Sequence, residues 1–145
     1  MLIVLAACAA LALSACGSDT AENNDYVDQV NQVSQELLSS VKSIPAAGGS
    51  PKQVSASLDE VSTKLGTAAS GLAAIDPPDD VASLHDKIVN DLKTLQAEAK
   101  NAADEVAQGG AAAAVGVITQ FVSEANRIGS EIDSTISQIN QELQS

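Results

Sequence analysis

Few side chains in this chain are able to do acid, base or metal chemistry, and their spacing limits what they can do together. His85 is the only histidine. A metal site built on it needs a second His or a carboxylate three or four residues further on, where Ile88 and Val89 stand. Ala82 lies three residues before it, so the Glu-x-x-His of di-iron bundles is missing. As a general base His85 would have to serve a serine nucleophile, and no Gly-x-Ser-x-Gly elbow surrounds any serine. Beside Leu84 it falls at the edge of an apolar stripe and is expected as a boundary side chain, with pH sensing or a single-ligand role as the sharper alternative. Adjacent carboxylates occur at Asp59-Glu60, Asp79-Asp80 and Asp104-Glu105. Neighbours on a helix diverge by about 100°, so these pairs are expected as solvated faces rather than as an acid and its base. Asp76, Asp79 and Asp80 offer oxygens to Ca²⁺, at a spacing that matches no calcium loop. Two cysteines, Cys8 and Cys16, do not complete a zinc set with one histidine, and no Cys-x-x-Cys-His exists to attach haem. The expectation is a chain that is not an enzyme, with no catalytic residue, no metal and no cofactor. A hydrolase or metal-binding protein centred on His85 is the remote alternative.

The elements that would carry these side chains are four helical patterns. Tyr26, Val30, Val33, Leu37, Val41 and Ile44 recur every three or four residues, as do Val54, Leu58, Val61, Leu65, Ala68, Leu72 and Ile75. A third series runs Val81, Leu84, Ile88, Leu92, Leu95, Ala99, Ala102, Val106, and a fourth Ile118, Val122, Ala125, Ile128, Ile132, Ile136, Ile139, Leu143. Such seams belong to helices with one buried face. Pro45 and Gly48-Gly49 stop the first, Ser50-Pro51 starts the second as N-cap and first-turn proline, and Asp76-Pro77-Pro78-Asp79-Asp80 separates second from third. That turn places acid in the third helix's first turn, where the dipole favours it. Gly109-Gly110 ends the third helix. The seams run through Gly66, Gly71, Gly116 and Gly129, each costing about 1 kcal/mol relative to Ala. The spacing predicts helices over about 22–44, 51–75, 78–107 and 111–144. The expected fold is all-α: an antiparallel, up-down-up-down four-helix bundle over 25–145, with two looser helical hairpins as the runner-up. Tyr26 and Phe121 are expected in its aliphatic core. Lys64, Lys87, Lys93, Lys100 and Arg127 are expected to pair with nearby acids on helix surfaces, contributing little.

The first residues read differently. Leu2 to Leu13 is an uncharged apolar run, shorter than the roughly 20 residues a membrane-spanning helix needs and of the length of a signal-peptide core. The stretch Leu13-Ser14-Ala15-Cys16-Gly17 resembles the lipobox of bacterial lipoproteins. The resemblance implies cleavage between Ala15 and Cys16 and a diacylglyceryl thioether on Cys16, so that 1–15 is a lipoprotein signal peptide and 16–24 a lipidated cysteine with an acidic tether. Two or three acyl chains anchor stably where one is marginal. Leu5-Ala6-Ala7-Cys8 fits the same pattern with only four residues ahead of it. Met1-Leu2 lacks the Lys or Arg usual before such a core, which an initiation site upstream would supply. Removing Cys8 leaves no cysteine pair for a disulfide.

Composition narrows the rest. Seven basic and 19 acidic side chains give a net charge of −12, a surface that repels nucleic-acid phosphates, and with no Trp, one Tyr and one Phe there is no stacking platform for bases. Nucleic acid is therefore not an expected partner. The stretch from Ile75 to His85 (IDPPDDVASLH) resembles a segment of small, helical, actinobacterial-type lipoproteins without an assigned activity. The similarity spans about 15 residues and implies the outer face of a cell membrane, transferring no catalytic residue. The expected protein is a lipid-anchored, extracytoplasmic module of the cell envelope that binds or supports without catalysis. It meets the membrane through Cys16 and meets an envelope protein or cell-wall partner, if any, at the uncharged distal loops 45–50 and 108–110. The alternative is a carrier or sensor of a lipid-like apolar ligand held in the bundle core.

Overall fold

Ser50 and Pro51 begin the first long helix as the sequence leads one to expect. In the computed structural model, which describes residues 23–32 and 50–144, Ser50 is the N-cap with Pro51 in the first turn. The Gln53 side-chain oxygen accepts from the Ser50 backbone N–H at 2.8 Å and from its hydroxyl at 3.1 Å, which ties up a donor the helix leaves unpaired. The expected signal peptide, Cys8, Ala15, Cys16, most of the tether, and positions Val33 to Ile44 with the loop after them lie outside the described residues. Helix α1 is described over 23–32, within the expected 22–44, and includes Asn23 and Asn24, where the expected helix and the expected tether (16–24) overlap. Helix α2 runs Pro51–Ala73, a 3₁₀ turn Asp79–Val81, and helix α3 Ala82–Glu142. No strand occurs among the described residues, so the fold is all-α.

Among the described residues three helices stand where four were expected over the whole chain. The expected connection at 108–110 narrows to one residue: α3 is helical through Gly109, and Gly110, at φ 62° and ψ −152°, is the kink that joins its two helical arms. That region is nearly closed to side-chain-bearing residues. The chain turns back there. Lys87 Nζ lies 3.8 Å from a Glu131 carboxylate oxygen, while residues 44 apart on a straight helix would be separated by about 66 Å. A first arm (82–109) and a second arm (111–142) thus fold onto each other around Gly110. Other bounds shift as well. Helix α2 ends at Ala73, where the Ala74 and Ile75 N–H groups fold back to the Gly71 and Leu72 carbonyls. Asp79 and Asp80 occupy the 3₁₀ turn, leaving the first turn of α3 without acid.

Helix α2 lies antiparallel to the first arm, and small residues bring the two close. Ser55 Oγ donates to the Ala103 carbonyl at 2.9 Å and Ser62 Oγ to the Gln96 carbonyl at 3.0 Å, with Asp59 bridged to Lys100 between them. The Gln96 side chain covers Gly66. Ala69, Ala99 and Ala103 are almost wholly buried along the same contact. Where small residues face each other, the α2 hydroxyls reach the first arm's backbone and donate to its carbonyls.

The core divides into two parts. One holds Tyr26 and Val27 of α1, Leu65, Leu72 and Ile75, Val81, Ile88 and Leu92, and Ile139. It gathers the beginning of α1, the Asp76–Asp80 turn and the chain's last helical residues at one end. The other holds Leu58, Ala102, Ala103, Val106, Ala114 and Val117 toward Gly110. Each fully buried aliphatic side chain contributes about 1.5–3 kcal/mol, and the end near Gly110, filled by alanines, has less to bury. In the second arm the buried positions are Ala114, Val117, Ile128, Thr135 and Ile139, whereas Ile118, Val122 and Ala125 are half-buried. The buried face departs from the expected seam only at its start, where Ala114 and Val117 are buried, and follows it from Ile128 to Ile139, with Ile132, Ile136 and Leu143 packed against the core.

Candidate functional site

His85 corrects the expectation that it sits at a boundary. It is 2% exposed, and both ring nitrogens are engaged. Nε2 lies 3.1 Å from the Leu72 carbonyl and Nδ1 3.1 Å from the Tyr26 hydroxyl, the two rings being tilted at 59° with centroids 5.7 Å apart. A carbonyl only accepts, so Nε2 carries the proton and donates; Nδ1 is then the acceptor, and Tyr26 donates to it. The Leu72 carbonyl already receives the Ile75 N–H, so the histidine also secures the end of α2. One polar chain thus links α1, α2 and α3 inside an apolar cluster. Burial pushes the Tyr26 phenol up to about 12, because the phenolate would lose its water there. Both ring nitrogens of His85 are thus engaged within the core.

The carboxylate pairs separate as expected. Glu60 pairs with Lys64 at 2.7 Å while its neighbour Asp59 reaches Lys100, and Asp104 pairs with Lys100 at 2.7 Å while Glu105 points elsewhere. Hydrogen bonds that the Lys100 ammonium donates to Asp104 and Asp59 raise it above its usual range. Lys87 pairs with Asp91 at 2.7 Å, and Arg127 clamps Glu124 and Glu131. That clamp holds the Glu124 carboxyl below the usual carboxylate range. Lys93 makes no ion pair among the described residues. Asp76, Asp79 and Asp80 are exposed around the turn, and among the described residues no group of three or more His, Cys, Asp or Glu is placed to hold a metal ion.

Between the two arms of α3 lies a groove of about 440 Å³. Its floor is Ala102, Val117 and the half-buried Phe121, and Glu98, Glu105 and Glu124 stand around it with neutral amides and a hydroxyl between them. Sequence reading missed this place. Glu98, Asn101 and Glu105 do flank the seam at helical spacing, yet only the register of the fold-back brings Gln120, Phe121 and Glu124 opposite them. Phe121, expected in the core, packs against both core clusters and also faces this groove. The stretch between Glu105 and Glu124 carries no charge. Helix α3 is long and apolar enough, by length and composition, to cross a membrane: one 18-residue window has mean hydropathy 1.3 and is 17% buried.

The chain matches no known protein family, no curated protein and no solved structure.

Proposed function

We propose that the chain is a lipid-anchored, extracytoplasmic four-helix bundle that serves the cell envelope as a non-catalytic binding or structural module. The observation that carries the reading is Leu13-Ser14-Ala15-Cys16 closing an uncharged apolar run, ahead of a chain whose described residues are almost all helical. An up-down-up-down topology is supported by the antiparallel register of α2 on the first arm and by the reversal at Gly110, which together turn three continuous helices into alternating rods. A fastened rod of this kind holds the turn at Asp76–Asp80 and the C-terminus near the anchor and presents the uncharged Gly109-Gly110 end away from it. The commitment of His85 to Tyr26 and Leu72 supports a non-catalytic role, since the only imidazole is spent on joining helices.

Metabolic labelling with radioactive palmitate tests the anchor. Wild-type protein is expected to carry label, and Cys16→Ala to carry none and to leave the membrane fraction. Equal label in both overturns the reading, as does recovery of the wild type from cytosol with its leader attached.

A further inference from the structure

We infer that the groove between the arms of α3 binds a small amphipathic organic cation, a compound with an aromatic or branched apolar body and an ammonium head. The proposal reaches past the anchored-module reading and does not depend on the anchor. Three observations lead to this class of ligand. The volume, about 440 Å³, lies in the range of pockets that hold small organic molecules rather than ions. The floor is apolar and carries the only phenylalanine of the chain, whose ring face attracts an ammonium as well as a hydrocarbon. The rim is anionic from both sides, with Glu98 and Glu105 on the first arm and Glu124 on the second.

The charges on that rim are not equivalent. Glu124 is clamped by Arg127, so its charge is partly answered. Glu98 and Glu105 make no ion pair among the described residues; Lys100, two residues from the one and five from the other, lies on a different side of the helix and is held by Asp59 and Asp104. Glu98 and Glu105 flank Ala102, the deepest floor residue, which is 6% exposed. The rim repels an anion, and a neutral sugar, although Asn101, Gln120 and Ser123 offer it hydrogen bonds, brings no charge to the carboxylates and no apolar body to the floor. An inorganic cation would leave the apolar floor uncovered. A cation with an apolar body satisfies both surfaces at once, the head between Glu98 and Glu105 and the body over Ala102, Val117 and Phe121. The asymmetry fixes the orientation, because the head is drawn toward the two unanswered carboxylates and away from Arg127.

Titrating the full chain with benzyltrimethylammonium, followed by NMR of the single phenylalanine ring, tests the idea. Saturable shifts at Phe121 are expected. At an exposed carboxylate a nearby unit charge changes affinity about fivefold, so Glu98→Gln with Glu105→Gln should weaken binding at least about tenfold. Benzyl alcohol, which lacks the charge, should bind at least about tenfold more weakly to the wild type. The control is Asp86→Asn with Asp133→Asn, which removes the same amount of charge from exposed positions elsewhere on α3 and should leave binding unchanged. Circular dichroism of each variant confirms that the helices are intact. No saturable shift at Phe121, equal weakening by both double variants, or equal binding of benzyl alcohol overturns the proposal; the last two outcomes would reduce it to overall charge attraction or to plain apolar contact.

Discussion

At the scale of single residues, the Tyr26–His85–Leu72 chain is a polar link buried inside the apolar core. Its members are not equally replaceable. The Leu72 carbonyl keeps the Ile75 N–H at 2.9 Å when the histidine is lost, whereas the Tyr26 hydroxyl is left with no acceptor. His85→Leu is therefore expected to destabilise by about 1–3 kcal/mol, the cost of an orphaned buried donor. Adding Tyr26→Phe should recover much of that, because removing both partners is cheaper than removing one. Urea unfolding midpoints of the two singles and the double measure it; strict additivity of two losses would show that the two side chains do not act as a pair. The phenol makes a second prediction. It ionises near 10 in the unfolded chain and at about 12 in the folded one. The native state therefore holds the proton over that interval, and stability is flat below it and falls as pH rises through it. The difference between wild-type and Tyr26→Phe midpoints cancels the lysines and should shrink across this window. None of this was legible in the sequence, where His85 next to Leu84 looks like a seam edge. The relay depends on α1 crossing over the α2–α3 turn, and no spacing within one helix encodes a contact 59 residues away.

At the scale of elements, the seams identified α2 and the first arm nearly residue by residue, because apolar periodicity is a local property and Ser50-Pro51 and Asp76-Pro77-Pro78 are local stops. The glycines were harder, since a glycine in sequence does not reveal which of its two merits is used. Structure separates them. Gly110 is needed for its backbone, at φ 62°, and Gly109 for space, since a Cβ there would fall 2.4 Å from the Ala113 Cβ. Gly116 and Gly129 are helical, and an added Cβ meets nothing within 4 Å. Alanine at Gly110 should cost about 1–3 kcal/mol and alanine at Gly109 should also destabilise. Alanine at Gly116 or Gly129 should stabilise by about 0.5–1 kcal/mol through helix propensity. Four unfolding curves decide it: a neutral Gly110→Ala would mean that the reversal is not made there. The second arm's seam holds from Ile128 to Leu143 and was misplaced only at its start. Ile118 and Val122 are the bulkier residues, so periodicity favours them, but the fold-back brings Ala114 and Val117 inward because two helices approach most closely through small side chains.

At the scale of the whole molecule, the decisive feature is that a 61-residue helix does not extend. Drawn straight it would reach about 90 Å, leave the apolar face of its second arm open to water, and separate Ile139 from the cluster it shares with Tyr26 and Leu72. Folding at Gly110 buries that face at the cost of one strained glycine. It also sets Lys87 against Glu131, a contact between exposed side chains that contributes little to stability but reports the register directly. Treating the dilute protein with a zero-length carbodiimide should join Lys87 to Glu131 within one chain, yielding a cross-linked peptide pair that mass spectrometry identifies and that Lys87→Arg abolishes. A hairpin also predicts the bystanders. Lys87 should join Asp91 one turn on as well, and Lys100 should join Asp59 of α2, because the same packing that closes α3 on itself lays α2 against its first arm. If the Lys87–Glu131 product formed only between chains, rising with concentration while the Lys100–Asp59 product did not, α3 would be straight and its second arm would bury its apolar face against a neighbouring copy. The groove beside Phe121 would then be lined by two chains instead of one.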